Sequence, residues 1–191
     1  MSLNIKTCID QLKYYPKADE CLRQSKSSID ALPSYNYLLE LRNEIPKELY
    51  SFYLRKLLLF NTANVSVELR LKMLDGVARD DIMFQEELDA LHNFDENVTI
   101  YRGTSKNERE PGLSWSIKRY VAESSDFYRG RLFIAKIPTS SILYYFSKNT
   151  TEEEIIAHVI DNYKIVDDPD FSFWFLKEFL WLRNYVYLPR Q

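Results

Sequence analysis

The chain has 191 residues, 46% hydrophobic and 15% aromatic, which suits one substantial core burying about 70% of the unfolded surface and is too apolar for a disordered chain. A net charge of -3 gives no broad field to draw the protein onto nucleic acid or an anionic membrane. Two cysteines without CxxC spacing and two histidines exclude a disulfide scaffold and a His-rich metal site, and leave the usual Ser-His-Asp triad little to draw on.

In chain order, the N-terminus, MSLNIKTCIDQLKYY, has no apolar signal-peptide core, and no run approaches the roughly 20 apolar residues of a membrane span, so a cytoplasmic protein is expected. Cys8 and Cys21 read as buried free thiols. From about residue 4 to 94 only Gly76 interrupts helix formers. PKELYSFYLRKLLLF places Leu49, Phe52, Tyr53, Leu57 and Phe60 at helical spacing behind Pro46, a start residue. The following VSVELRLKMLDGVARDDIMFQEELDALHNF predicts two helices broken near Gly76 to Asp81. Their apolar faces read as core, with a partner-binding face as the alternative.

Beyond residue 97 the texture changes to short β-branched and aromatic runs between turns: NVTIYRG, GLSWS, GRLFIAKIP, SILYYF, EEIIAHVI and YKIV. A helix is predicted at IKRYVAESSDFY, and the closing FSFWFLKEFLWLRNYVYL predicts a largely buried helix and an extended tail. The expected fold is α+β, with a helical region over 1–94 and a β-rich core with a C-terminal helix over 95–191, packed as one compact unit.

Three short stretches could carry chemistry. In VTIYRGT, Arg102 ends a strand: a guanidinium there can grip a phosphate or pyrophosphate, and Gly103 lets a ligand approach the backbone. The plainer reading is an edge arginine before a turn. In GLSWS, Ser114 and Ser116 share one strand face and Trp115 takes the other, so two hydroxyls could orient an acidic side chain or a ribose. Alternatively Ser116 caps the next helix.

The third stretch, NTTEEEIIAHVI, is ambiguous. Thr151 and Glu154 could form the capping box of a helix, or Glu152 and Glu154 could share one face of a strand entrance while Glu153 points away. Periodicity does not decide between them. Composition favours the strand, because four of the six residues from 155 to 160 are β-branched.

YRG, Ser-Trp-Ser opening a helix, LFIAKIP, the tyrosine-rich ILYYF and finally Glu-x-Glu-Ile-Ile, in that order over residues 97–165, resemble the ADP-ribosyltransferase superfamily. The branch is the one with an Arg, Ser, Glu triad, found in many bacterial toxins and phage-encoded enzymes. The N-terminal half contributes nothing to the likeness, and Trp115 replaces the threonine of the commoner Ser-Thr-Ser strand. The resemblance implies an ADP-ribosyltransferase-like mixed β core that uses NAD as substrate; no metal ligands are assigned, and the lack of an apolar span gives no membrane partner. Arg102 would anchor the NAD phosphate and ribose, with Gly103 beside it. Ser114 would orient the catalytic Glu154, with Ser116 as a further cofactor contact. Glu152 would prepare the acceptor, an arginine of a macromolecule and in the first place of a protein. Tyr120, Phe127 or Tyr128 would wall the nicotinamide, Phe127 being preferred.

The chemistry is consistent with that assignment. Cleaving nicotinamide from ribose passes through an oxocarbenium-like state that an ionised carboxylate favours, and two adjacent carboxylates raise the pKa of one for general base work. With neither GxGxxG nor GxxxxGK[ST] present, NAD would be held by another kind of site. The expected function is mono-ADP-ribosyl transfer from NAD. The alternatives are a non-catalytic interaction module of phage or mobile-element origin, and an NAD glycohydrolase with water as acceptor.

Overall fold

A computed structural model describes residues 8, 10, 14–16, 32–60, 65–124, 130–147 and 153–167. Its fold class is α+β, and its residues group into two units, Met1–Phe94 with Leu143–Thr151 and Asp95–Ile142 with Glu152–Gln191. Cys21, Glu152, Phe127, Tyr128 and the predicted C-terminal helix lie outside the described residues.

The first unit is helical: α1 (Leu32–Glu40), a 3-10 turn (Leu41–Asn43), α2 (Lys47–Phe60), α3 (Val67–Leu74), α4 (Arg79–Ile82) and α5 (Gln85–His92). Pro46 stands immediately before α2, and its carbonyl accepts the Tyr50 N–H at 2.9 Å. Leu49, Phe52, Tyr53 and Leu57 are buried as their spacing predicts, but so are Tyr50, Ser51, Leu54, Arg55 and Leu58. The helix is therefore enclosed on more than one face, a wider burial than the spacing suggested. Tyr50 ties it to α3, its hydroxyl donating to the Met73 carbonyl at 3.1 Å.

Gly76, at φ +69°, turns the chain after α3. The break expected from Gly76 to Asp81 is shorter than predicted, because α4 already starts at Arg79. The Asp81 carboxylate accepts the Ala78 N–H at 2.9 Å, satisfying an amide that would otherwise be orphaned at the start of this one-turn helix. Cys8 is buried, its thiol donating to the Glu48 carbonyl at 3.5 Å, and burial pushes its pKa up to about 11.

A buried ion pair organises this unit. Arg55 donates through Nη1 and Nη2 to the two Glu87 carboxylate oxygens, both at 2.8 Å, and through Nη1 to the Ile82 carbonyl at 3.2 Å. The Phe84 and Phe146 rings each lie 4.4 Å from its guanidinium carbon. Glu87 also accepts the Phe84 N–H and the Ser147 N–H, each at 2.9 Å. These bonds draw segment 143–147, with its short strand β4 (Tyr144–Phe146), into the helical unit. The Tyr144 hydroxyl, donating to the Val77 carbonyl at 2.6 Å, adds a second tie. Only the last three residues of SILYYF are strand, since Thr139–Ser141 form a 3-10 turn.

The second unit holds β1 (Asn97–Ser105), β2 (Ser114–Ser116), α6 (Arg119–Ala122), β3 (Gly130–Pro138), β5 (Glu154–Ile156) and β6 (Tyr163–Asp167). Its strands run in the order β5-β2-β1-β3-β6, every pair antiparallel. β1 and β3 are paired along their whole length from Asn97↔Pro138 to Ser105↔Gly130. Phe133, Ala135 and Ile137 pack on one face with Ile100, and Phe133 meets Tyr163 edge-on at 5.4 Å. Of the helix predicted over IKRYVAESSDFY, the described residues form the single turn α6.

β5 is shorter than EEIIAHVI for a topological reason. Its successor β6 lies four strands away, about 19 Å across the sheet. Ala157 is still bonded to Leu113, just before β2, and the chain reaches Tyr163 six residues on through a bend at 161–162 in which Asn162 has φ +60°. Residues 157–160 alternate in burial, with Ala157 and Val159 buried and His158 and Ile160 exposed, but lie outside any ladder. Among the described residues no helix is long and apolar enough to cross a membrane.

Breaking the Arg55–Glu87 pair from one side leaves a buried charge unpaired, so Glu87→Ala is expected to cost about 3–5 kcal/mol in chemical denaturation. The double change Arg55→Met with Glu87→Leu removes the unpaired charge but orphans the Phe84 and Ser147 amides, so it recovers only part of that loss.

Candidate functional site

β2 places its side chains by its pairing with β5, Ser114↔Ile156, Trp115↔Ile155 and Ser116↔Glu154. Alternation then puts Ser114, Ser116 and Glu154 on one face and Trp115 with Ile155 on the other. The register is locked from the Trp115 side: its indole N–H donates to the Ala157 carbonyl at 3.3 Å, and the Ala157 N–H to the Leu113 carbonyl at 2.9 Å. On the opposite face the Ser114 hydroxyl donates to Glu154 Oε1. Glu154 itself is buried, 7% exposed.

Arg102 joins them from β1. It leaves the strand on the Ile100 face, opposite to Tyr101, whose partner is Ser116. Its Nη1 nevertheless reaches the Ser114 carbonyl at 2.8 Å, and Nη2 lies 3.7 Å from Glu108 Oε2. Burial pulls the guanidinium pKa below its ordinary value, opposed by the Glu108 and Glu154 carboxylates, which favour the cation. Arg102 Nε is buried without a hydrogen-bond partner, and so is the hydroxyl of Thr104, two residues on along the same face of β1. Orphaned donors of this kind are uncommon in folded proteins and mark a place where a ligand or water completes the bonding.

The structure thus links Arg102 to the Ser114 backbone and Glu154 to the Ser114 hydroxyl, with the Arg102 side chain leaving its strand on the face opposite to the other two. Gly103 follows in β1 opposite Leu132 and is half-buried. Ser116 lies across from Glu154, but its Oγ accepts the Lys118 N–H at 3.0 Å, so it shapes the turn before α6; it does not cap that helix, whose N-cap is Lys118 with no side-chain cap bond. Tyr120, one of the proposed ring walls, is 68% exposed and walls nothing off by itself. Glu152 and Phe127 lie outside the described residues. No group of three or more metal-ligating side chains occurs among the described residues.

Two acidic residues have larger parts than the sequence suggested. Glu108, in the turn after β1, is the counter-ion of Arg102; only its position six residues downstream in a loop that folds back on the strand could have hinted at it. Glu153, read as turned away and idle, adopts φ +49° and pairs with Lys118 Nζ at 3.1 Å. Its left-handed backbone turns the chain into β5 one residue before Glu154.

Comparison with family models, with curated proteins and with solved structures gives no match.

The conformation at Glu153 is testable. Glu153→Gly is expected to leave stability within about 0.5 kcal/mol of the parent, since glycine adopts positive φ freely, whereas Glu153→Val costs about 1–3 kcal/mol by denaturation.

Proposed function

We propose that this chain is a mono-ADP-ribosyltransferase that takes NAD as substrate and passes ADP-ribose to a macromolecular acceptor, with a protein arginine as the first acceptor to test. The observation that carries the reading is the linkage of Arg102, Ser114 and Glu154 by two hydrogen bonds across three neighbouring strands. These are the three residues that the sequence resemblance assigns to one site.

In this reading Arg102 holds the pyrophosphate. Its unpartnered Nε and its burial suit a dianionic ligand, because a charge-assisted bond is worth most where water is excluded. Ser114 fixes the rotamer of Glu154 by donating a hydrogen bond to one carboxylate oxygen, which aims the ionised carboxylate at the ribose. As the nicotinamide bond stretches, positive charge grows on the ribose ring, and the preorganised carboxylate stabilises that charge without having to reorient. Glu152, by position in the sequence, would accept a proton from the acceptor.

The test is nicotinamide release from NAD by the purified protein, with and without a mixture of candidate acceptor proteins. Glu154→Gln keeps the shape and removes the charge, and it is expected to lower the rate by about 10²–10³-fold with the same melting midpoint. Ser114→Ala is expected to lower the rate less, by about tenfold, through loss of carboxylate orientation. Full activity in Glu154→Gln would reject the assignment. Release of nicotinamide without any labelled acceptor would reassign the chain as a glycohydrolase.

A further inference from the structure

We propose that Glu108 is a displaceable counter-ion of Arg102, a carboxylate that occupies the anion-binding guanidinium until a diphosphate replaces it. This rests on the reading of Arg102 as a pyrophosphate anchor and adds to it a residue that sets the site's affinity for anions.

The placement of Glu108 divides into a fixed backbone and a movable side chain. Its N–H donates to the Ser105 carbonyl at 3.2 Å, closing the turn after β1. Its carbonyl accepts Arg131 Nη1 at 2.5 Å. Arg131 is itself held by Asp167 at the end of β6, through Nε to Oδ1 at 2.7 Å and Nη2 to Oδ2 at 2.9 Å. Glu108 Cα is therefore pinned to the sheet from two sides. Its carboxylate is not: it stands 3.7 Å from Arg102 Nη2, beyond a good hydrogen bond, with its side chain 46% exposed while that of Arg102 is 24% exposed. An ion pair of that length and exposure holds weakly and opens by side-chain rotation alone, with no movement of the loop.

Arg102 does not hold this carboxylate through its best donors. Nη1 is committed to the Ser114 carbonyl, and Nε is buried with no partner. A diphosphate offers several oxygens and more charge than one carboxylate, so it can satisfy donors that Glu108 leaves unmet. A single-charge anion gains little over the resident carboxylate and is excluded by its repulsion. Glu108 thereby favours diphosphates over monoanions such as acetate or chloride.

The experiment is calorimetric titration of the full chain with inorganic pyrophosphate at low ionic strength. It compares the parent, Glu108→Gln and Glu110→Gln, an exposed acid on the same loop that changes net charge equally. Glu108→Gln is expected to tighten pyrophosphate about three- to tenfold, with Glu110→Gln within about twofold of the parent. Equal tightening in both variants, no tightening in Glu108→Gln, or no pyrophosphate binding by any of the three overturns the inference. The readout is independent of NAD turnover. Nicotinamide release together with unchanged pyrophosphate affinity rejects the counter-ion and leaves the transferase reading standing. Tighter pyrophosphate binding without nicotinamide release does the reverse.

Discussion

Pairing of β5 with β2 at Ser116↔Glu154 decides where the one buried carboxylate among the described residues of the second unit is aimed. A slip by a single residue would carry Glu154 to the Trp115 face, among apolar side chains and away from the Ser114 hydroxyl. Two devices prevent it. The Trp115 indole and the Ala157 amide close bonds beyond the ladder's end, and the left-handed Glu153 sets the direction in which the strand begins.

Buried Arg55 and half-buried Arg102 show how differently the fold treats charge. Arg55 is saturated: both terminal nitrogens meet Glu87, two aromatic rings flank it, and the partner carboxylate is itself bonded to two backbone amides. Such a pair gives register and specificity to the helices around it and offers nothing to a ligand. Arg102 is incompletely served, with one firm bond to a backbone carbonyl, a loose counter-ion and an orphaned Nε. Keeping a half-buried cation in that condition costs stability, and the cost is explicable if the missing partner is supplied by a bound anion.

Much of the second unit was readable in the residues because its long strands are β-branched and aromatic runs set between turn residues. β3 spans the residues of GRLFIAKIP, and β1 begins where NVTIYRG begins. The preference for strand over helix at Glu154 rested on β-branching alone, and β5 is a strand there. Less was readable where long-range partners decide. Nothing local to Arg55 announces a partner glutamate 32 residues away. The same pair draws segment 143–147 to the helical unit, which a linear division at residue 94 could not anticipate. Glu108 was invisible for a similar reason, since loop geometry rather than periodicity brings it to Arg102. At the site, Arg102, Ser114 and Glu154 were named by their order in the chain, whereas the exposure of Tyr120 and the turn-forming role of Ser116 required coordinates.

The central claim is that Arg102, Ser114 and Glu154 form one NAD site. It is tested most directly by a crystal structure of the Glu154→Gln variant soaked with NAD, in which turnover is too slow to consume the ligand. The account predicts density for the intact dinucleotide, with its pyrophosphate within hydrogen-bonding distance of the Arg102 guanidinium and its nicotinamide ribose against residue 154. NAD bound elsewhere on the chain, or no density at millimolar concentration in a crystal whose site is open to solvent, would contradict it.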